Sequence, residues 1–419
     1  MSVKKNILIL SFFFPPCNKV GGRRWAKFAK YLHRLNYGVY VIAIDYPYYK
    51  NCPWEKDVLV YKENIYRIPY IEHRPFYLVN KSPENLIDKV RYRLSWYKEK
   101  IVPTQYSEDP IDISEKYNDN LLQISKRIIL EKKIDTVIVT GGPFRWCYES
   151  LKIKQSFPDL NFVLDLRDFW TGGYSYERMD ESTKMRENFR EKECIKAANI
   201  ITTPAERIAI HLRNKYPQFS NRIIHIPHAY DAEELNALMN YKMQEKTITF
   251  AYGGVFYSHM EEAIGKLILL LQKIKSKGIS VKFDVYTFDN AYEHLFKSAG
   301  LEKEIHYHKT LPPSELFAIL SRTDYLLQLR AGEAQEQHFK STKFYELIAL
   351  RRPIIYFGPT SDIEDFLLEN HLGFSGNAPT ETLIKQIINN KEEQKIPDKN
   401  FDISTFEYLK VTYELEKYL

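Results

Sequence analysis

The sequence predicts an α/β protein with two Rossmann-like domains whose parallel sheets face each other across a cleft. Three observations predict it. The 419 residues are 44% hydrophobic and 27% charged, an ordinary globular composition with length for two domains. Short apolar runs alternate with segments of helical period along most of the chain, the mark of βαβ units. Glycines and cations gather just after those apolar runs, where open α/β sheets bind ligands.

Ile7 to Leu10 is a continuous apolar run, as expected of a strand buried on both faces. Residues 22–35 follow with helical spacing. Further strands are expected at Val39–Ile44, Thr136–Thr140, Phe162–Asp165, Ile200–Thr203 and Ile223–Ile226. Helices fit at 112–132, 144–156, 182–198 and 204–215. A second series has strands at Ile248–Tyr252, Val281–Thr287, Ile305–His308, Tyr325–Leu329 and Pro353–Phe357. Its helices fit at 260–277, 290–299, 313–321, 342–351, 361–369 and 380–390. The first domain is expected over 1–235 and the second over 240–400, with the polar stretch Asp231–Lys246 between the two series. The segment 401–419 reads as a helix packing back across the domains. Residues 46–110, rich in Pro, Tyr and cations, break the alternation and read as an insertion over the first sheet. Within it Ile87, Val90, Leu94, Tyr97 and Ile101 recur every three or four residues.

The net charge of +6 is modest and no recognition motif accompanies it, which argues against nucleic acid as partner. The charge is uneven, however. Residues 1–50 carry nine Lys/Arg and one acid, Asp45, a balance of 9 − 1 = +8. Cys17, Cys52, Cys147 and Cys194 form no CxxC pair and fit a reducing compartment. The apolar opening is short and ends at Pro15-Pro16, so it reads as a strand rather than a signal peptide. Nothing approaches the roughly 18 apolar residues of a membrane span.

Gly21-Gly22 lets the backbone approach a ligand, and the helix that follows offers free N–H groups to an anion. Arg23, Lys27, Lys30 and Arg34 fall within roughly a 60° arc of that helix, opposite Trp25, Phe28, Ala29 and Leu32. With Lys19, this acid-free stripe suggests an anionic membrane surface or a diphosphate-bearing acceptor. In the second half, Gly253-Gly254 follow a strand and Arg330 ends one. Ser341, Thr342 and Lys343 open a helix in which Phe344, Leu347 and Ile348 form the buried stripe. Lys343 lies in the first turn, where the dipole disfavours a cation by a few tenths to about 1 kcal/mol. Lys343 before Glu346 is also the poorer order for an i,i+3 pair. A phosphate at that N-terminus would offset both faults, leaving Glu346 to hold ribose hydroxyls. No D-x-D, HExxH, P-loop, full GxGxxG or Gly-x-Ser-x-Gly occurs, and no metal or other cofactor is expected.

Four segments carry a family resemblance: the stretch from Ile7 to Ile44, FVLDLRDFW at 162–170, IIHIPHAYD at 223–231, and STKFYELIALRRPII at 341–355. Together they resemble glycosyltransferase family 4, retaining enzymes of the GT-B fold, and within it a subgroup that builds capsular or cell-envelope polysaccharides. The resemblance implies a nucleotide-sugar donor, such as a UDP- or GDP-sugar, as substrate. It implies a glycan or polyprenyl-diphosphate-linked acceptor, and a cytoplasmic enzyme at most peripheral on the membrane's inner face. By that resemblance Lys343 contacts the donor diphosphate, with Ser341 and Thr342 at the helix start, and Glu346 holds the ribose. Gly21 and Gly22 lie against the diphosphate, while Arg167 and Asp168 stand near the reacting sugar. His338 replaces the first Glu of the family's Glu-x7-Glu pair, and His228-Ala229 replaces its Asn-Gly. The Arg and Lys usual after the first C-domain strand are absent from GGVFYSHM at 253–260, so Arg330, Lys340 and Lys343 carry the phosphate charge. A GT-B epimerase of nucleotide sugars and a non-catalytic donor-binding subunit share these features.

Overall fold

The computed structural model describes residues 3–47, 52–71, 85–101, 114–235, 247–331 and 340–419. His338 and the stretch 236–246 lie outside them. Two parallel sheets organise the chain. The first has seven strands in the order β3-β2-β1-β4-β5-β6-β7. They are β1 (Asn6–Leu10), β2 (Gly38–Asp45), β3 (Ile65–Pro69), β4 (Thr136–Thr140), β5 (Asn161–Asp165), β6 (Ile200–Thr203) and β7 (Ile223–His225). The second has six in the order β10-β9-β8-β11-β12-β13. They are β8 (Thr247–Gly253), β9 (Ser280–Tyr286), β10 (Ile305–His308), β11 (Tyr325–Leu329), β12 (Ile354–Phe357) and β13 (Gly373–Ser375). Both have the order of doubly wound, Rossmann-like sheets.

Central strands are apolar on both sides because helices cover both faces. Leu8, Leu10, Val137 and Val139 pack toward Ile128, Trp146 and Ile195. Their neighbours Ile7, Ile9 and Val39 pack toward Trp25, Phe28 and Leu32 of the first helix, Val20–Arg34. That helix has Gly21 and Gly22 in its first turn.

Three elements differ from the sequence reading. Residues 46–110 do not simply cover the sheet, since β3 joins its edge beside β2, with Val41 opposite Ile65. The segment 144–156 is two short helices, Arg145–Glu149 and Leu151–Ser156, broken at Ser150, whose hydroxyl donates to the Trp146 carbonyl at 2.6 Å. β13 adds a short edge strand to the second sheet, pairing with β12. The last helix, Tyr408–Glu416, packs on the first lobe, with Tyr408 edge-on to Phe28 at 5.4 Å between ring centroids. The chain crosses back beside Tyr230, which donates to the Phe406 carbonyl and accepts from the Tyr408 N–H, both at 3.0 Å.

Candidate active site

In each sheet the strand order reverses beside the first strand, between β1 and β4 and between β8 and β11. Ligands of open α/β sheets bind at such switch points, beyond the carboxyl ends. Gly21-Gly22 follows β1, and Gly141-Gly142 follows β4. Gly253 ends β8 and Gly254 follows it, while Arg330 follows β11. The two crevices are joined directly. Arg23, beside Gly22, places Nη2 2.7 Å from Glu346 Oε1, one turn beyond Lys343. A second ion pair, Arg207 to Asp362 at 3.4 Å, also spans the lobes.

On the first lobe Arg167 braces the Gly141-Gly142 turn and packs against Gly21. Its Nε donates to the Gly141 carbonyl at 2.8 Å and its Nη2 to that of Gly142 at 2.9 Å. A Cβ on Gly21 would stand 2.3 Å from Arg167 Nη1, so only glycine admits the guanidinium there. A Cβ on Gly22 would meet the Phe13 carbonyl oxygen at 2.8 Å, which is backbone and cannot swing aside. Gly22→Ala is therefore expected to cost about 1–3 kcal/mol in thermal unfolding, as overpacking does. Gly21→Ala should cost less, since a side chain can move; equal losses would contradict this difference. Asp168 is exposed, three residues past the end of β5. Asp165, three residues earlier, is fully buried and accepts from Trp25 Nε1 at 2.7 Å, Thr202 Oγ1 at 2.9 Å and Thr140 Oγ1 at 3.0 Å. It braces the first helix against the sheet, as does Arg24, which donates to the Ile226 and Pro227 carbonyls at 2.8 and 2.9 Å. His228 follows β7. Among the described residues its Nδ1 is buried without a hydrogen-bond partner. Burial, and then the charges of Arg24, Arg167 and Arg23, hold its pKa well below the ordinary histidine range, so the ring is neutral at pH 7.

The stripe Arg23, Lys27, Lys30 and Arg34 needs correction as a membrane or acceptor surface. Arg23, Lys27 and Lys30 are at most 5% exposed. Lys27 Nζ lies 2.6 Å from each of Asp57, Asp231 and Glu234. Lys30 pairs with Asp231 at 2.7 Å, Glu233 at 2.8 Å and Asp57 at 3.1 Å, while Arg23 reaches Glu234 at 2.5 Å. Only Arg34 is exposed, and it pairs with Glu233. These cations neutralise acids from the lobe junction instead of facing solvent. Among the described residues Asp57, Asp231 and Glu234 are also the one acid cluster with metal-ligand spacing, and the Lys27 ammonium already occupies its centre.

On the second lobe the helix Thr342–Ala349 begins at Ser341, which makes no side-chain cap. Among the described residues the Thr342 and Lys343 N–H groups are thus left for another acceptor, while that of Phe344 bonds to the Ser341 carbonyl at 2.9 Å. Lys343 Nζ lies over the Tyr252 ring, 4.5 Å from its centroid, and 2.1 Å from where a Cβ on Gly254 would be. Burial, and then the neighbouring Arg330, push its pKa down to about 8; Glu346 opposes them. Glu346 is itself drawn upward by burial, against the pull of Arg23. Beside this group a pocket of about 460 Å³ is lined by His259, Glu262, Lys266, Arg330, Gly358 and Asn377, among others. Lys343 and the Gly21-Gly22 turn lie outside its lining. Sequence reading missed this pocket together with Asp165 and Arg24, and noted His228 only as a departure from the family's Asn-Gly. Of its lining residues sequence reading named Arg330 alone, as a carrier of phosphate charge.

The sequence matches no family model and no curated protein. Solved structures do match, and they share the GT-B fold. A glycosyltransferase from Rickettsia africae superposes with a TM-score of 0.60 at 15% identity, over 99% of this chain and 98% of that one. Sucrose-phosphate synthase from Thermosynechococcus elongatus gives 0.62 at 11% identity, with 99% and 98% covered. UDP-GlcNAc 2-epimerase from Methanocaldococcus jannaschii gives 0.54 at 11%, with 98% of each chain covered. At these identities the likeness establishes the fold: two Rossmann-like domains of the GT-B type. No helix among the described residues is long and apolar enough to cross a membrane.

Proposed function

We propose that this chain is a glycosyltransferase that takes its sugar from a nucleotide-diphosphate donor. One observation carries the reading. Lys343 is half-buried beside Arg330, and among the described residues the carboxylate that favours its charge, Glu346, is already bonded to Arg23. A cation held this way calls for an anion, and the uncapped helix start beside it supplies N–H donors. A diphosphate fits that charge. Its nucleoside would occupy the pocket lined by Arg330, Gly358 and Asn377. Cleaving the sugar–phosphate bond leaves negative charge on the diphosphate, which Lys343, Arg330 and the backbone N–H groups of Ser341 to Lys343 would stabilise without a metal. Asp168 and Arg167 would stand on the sugar's side of the cleft, and transfer would proceed with retention through an oxocarbenium-like state. A glycan or lipid-linked saccharide destined for a cell-surface polysaccharide would be the acceptor.

A panel of UDP-, GDP- and ADP-sugars tests the donor, because a ligand binding only the native state raises its melting point. At a hundredfold excess over Kd, one nucleotide class should stabilise the protein by about 2.7 kcal/mol. No shift with any of them would overturn the reading. The epimerase likeness supports a second reading. Isomerisation of the bound nucleotide sugar without any acceptor would favour it.

A further inference from the structure

The helix Leu86–Ile101 carries an apolar face that nothing among the described residues covers. Leu86 is 79% exposed, Ile87 68%, Leu94 65%, Tyr97 57% and Val90 52%. At roughly 100° per residue these five side chains fall within about a 100° arc. Lys89 and Arg93 stand on one shoulder of that arc and Arg91 on the other, all three exposed. Asp88 lies on the far side, tied to Asn85 by two hydrogen bonds of 2.8 Å. Cations beside the apolar face and the acid away from it is the arrangement a helix needs to lie flat in an interface of negative charge. There the apolar side chains enter the acyl boundary, Tyr97 sits at headgroup depth and the cations reach anionic phosphates. Apolar contact with a protein would not require the charges to be sorted in this way.

We infer that this helix is an in-plane anchor that docks the first lobe on an anionic lipid bilayer. The surface is separate from the buried cations of the first helix, and the inference does not depend on the glycosyl-transfer reading. In chain order the helix falls between β3 and β4.

Flotation of the full chain with vesicles tests it, using phosphatidylcholine alone and phosphatidylcholine with about 30% phosphatidylglycerol. The wild type should float with the anionic vesicles and stay behind with the neutral ones. Its binding should fall severalfold in about 0.5 M salt, where the charges are screened. The double variant Ile87→Glu/Leu94→Glu should lose at least about tenfold in partitioning, with an unchanged melting point because both positions are exposed. Arg91→Glu/Arg93→Glu should lose a comparable amount. No flotation of the wild type, or equal flotation of the Glu variants, would overturn the inference. So would a wild-type dimer in sedimentation equilibrium that Leu94→Glu dissociates, which would assign the face to a second copy.

Discussion

Lys27→Met is expected to destabilise the folded protein by about 3–5 kcal/mol, the cost of removing one partner from a buried ion cluster. Methionine keeps the length and apolar stem but removes the ammonium that three carboxylates share at 2.6 Å each. Asp57, Asp231 and Glu234 would then face one another with ligand atoms within 4.8 Å. Lys30 and Arg23 can answer only part of that charge. In the wild type, burial resists ionisation of Asp231 and Glu234, but Lys27 and its neighbours win and hold both below the usual carboxylate range. Glu233, bonded to Arg34 and Lys30, is pulled down to about 2.

Depressed carboxylates contribute stability that is full above their unfolded pKa, about 4, and lost as the pH falls through the folded value. The wild-type cluster should therefore weaken between about pH 4 and pH 2. In Lys27→Met the sign reverses, because repulsion within the cluster then opposes the ionisation of Asp231 and Glu234, and mild acid should narrow the gap to wild type. Millimolar Ca²⁺ or Mg²⁺ should narrow it as well, by taking the place of the ammonium. Melting curves across pH, with and without the cation, measure all of this. A variant that melts with the wild type at pH 7 would show that the cluster holds nothing together.

Lys343→Met should act in the opposite direction on the empty protein. Its amine titrates near 8 instead of 10.5. At pH 7 the charged folded state thus carries a handicap on the order of 3 kcal/mol. A lowered cation pKa gives a handicap that is full below the folded value and relieved as the pH rises from about 8 toward 10.5. The variant should therefore melt a few degrees higher at neutral pH, with the difference closing in alkali. It should also lose nucleotide-sugar binding and transfer. A diphosphate needs the charged ammonium, so wild-type affinity should fall by about tenfold per pH unit above pH 8. Binding to the variant should lack that step. Titration calorimetry of the UDP-sugar or GDP-sugar reads this, and a variant that binds as tightly as wild type would remove Lys343 from the site.

Arg23 links the two results. Its guanidinium joins the junction acid Glu234 to Glu346 on the second lobe. A ligand hydroxyl that engaged Glu346 would compete with that bridge, so donor binding and lobe closure would draw on the same carboxylate.

The alternation of apolar runs and helical segments determined the parallel sheets, since each strand's burial on two faces is written in its own residues. β4, β6, β10 and β11 run over the same bounds in sequence reading and structure. The glycine turns, and the misplaced cation Lys343 at a helix start, were legible for the same reason: each breaks a local rule where it stands. β3 and β13 were not legible, because β3 (IYRIP) lies inside the Pro- and Tyr-rich segment that breaks the alternation and β13 (GFS) is three residues long, too short for a pattern of its own. The cationic stripe gave the right face of the helix and the wrong environment. Periodicity orients side chains but does not name their partners. Asp231 and Glu234 reach Lys27 from more than two hundred residues along the chain. Only the tertiary structure could bring in those acids, join Arg23 to Glu346 across the lobes, and leave the apolar face of the helix Leu86–Ile101 uncovered among the described residues.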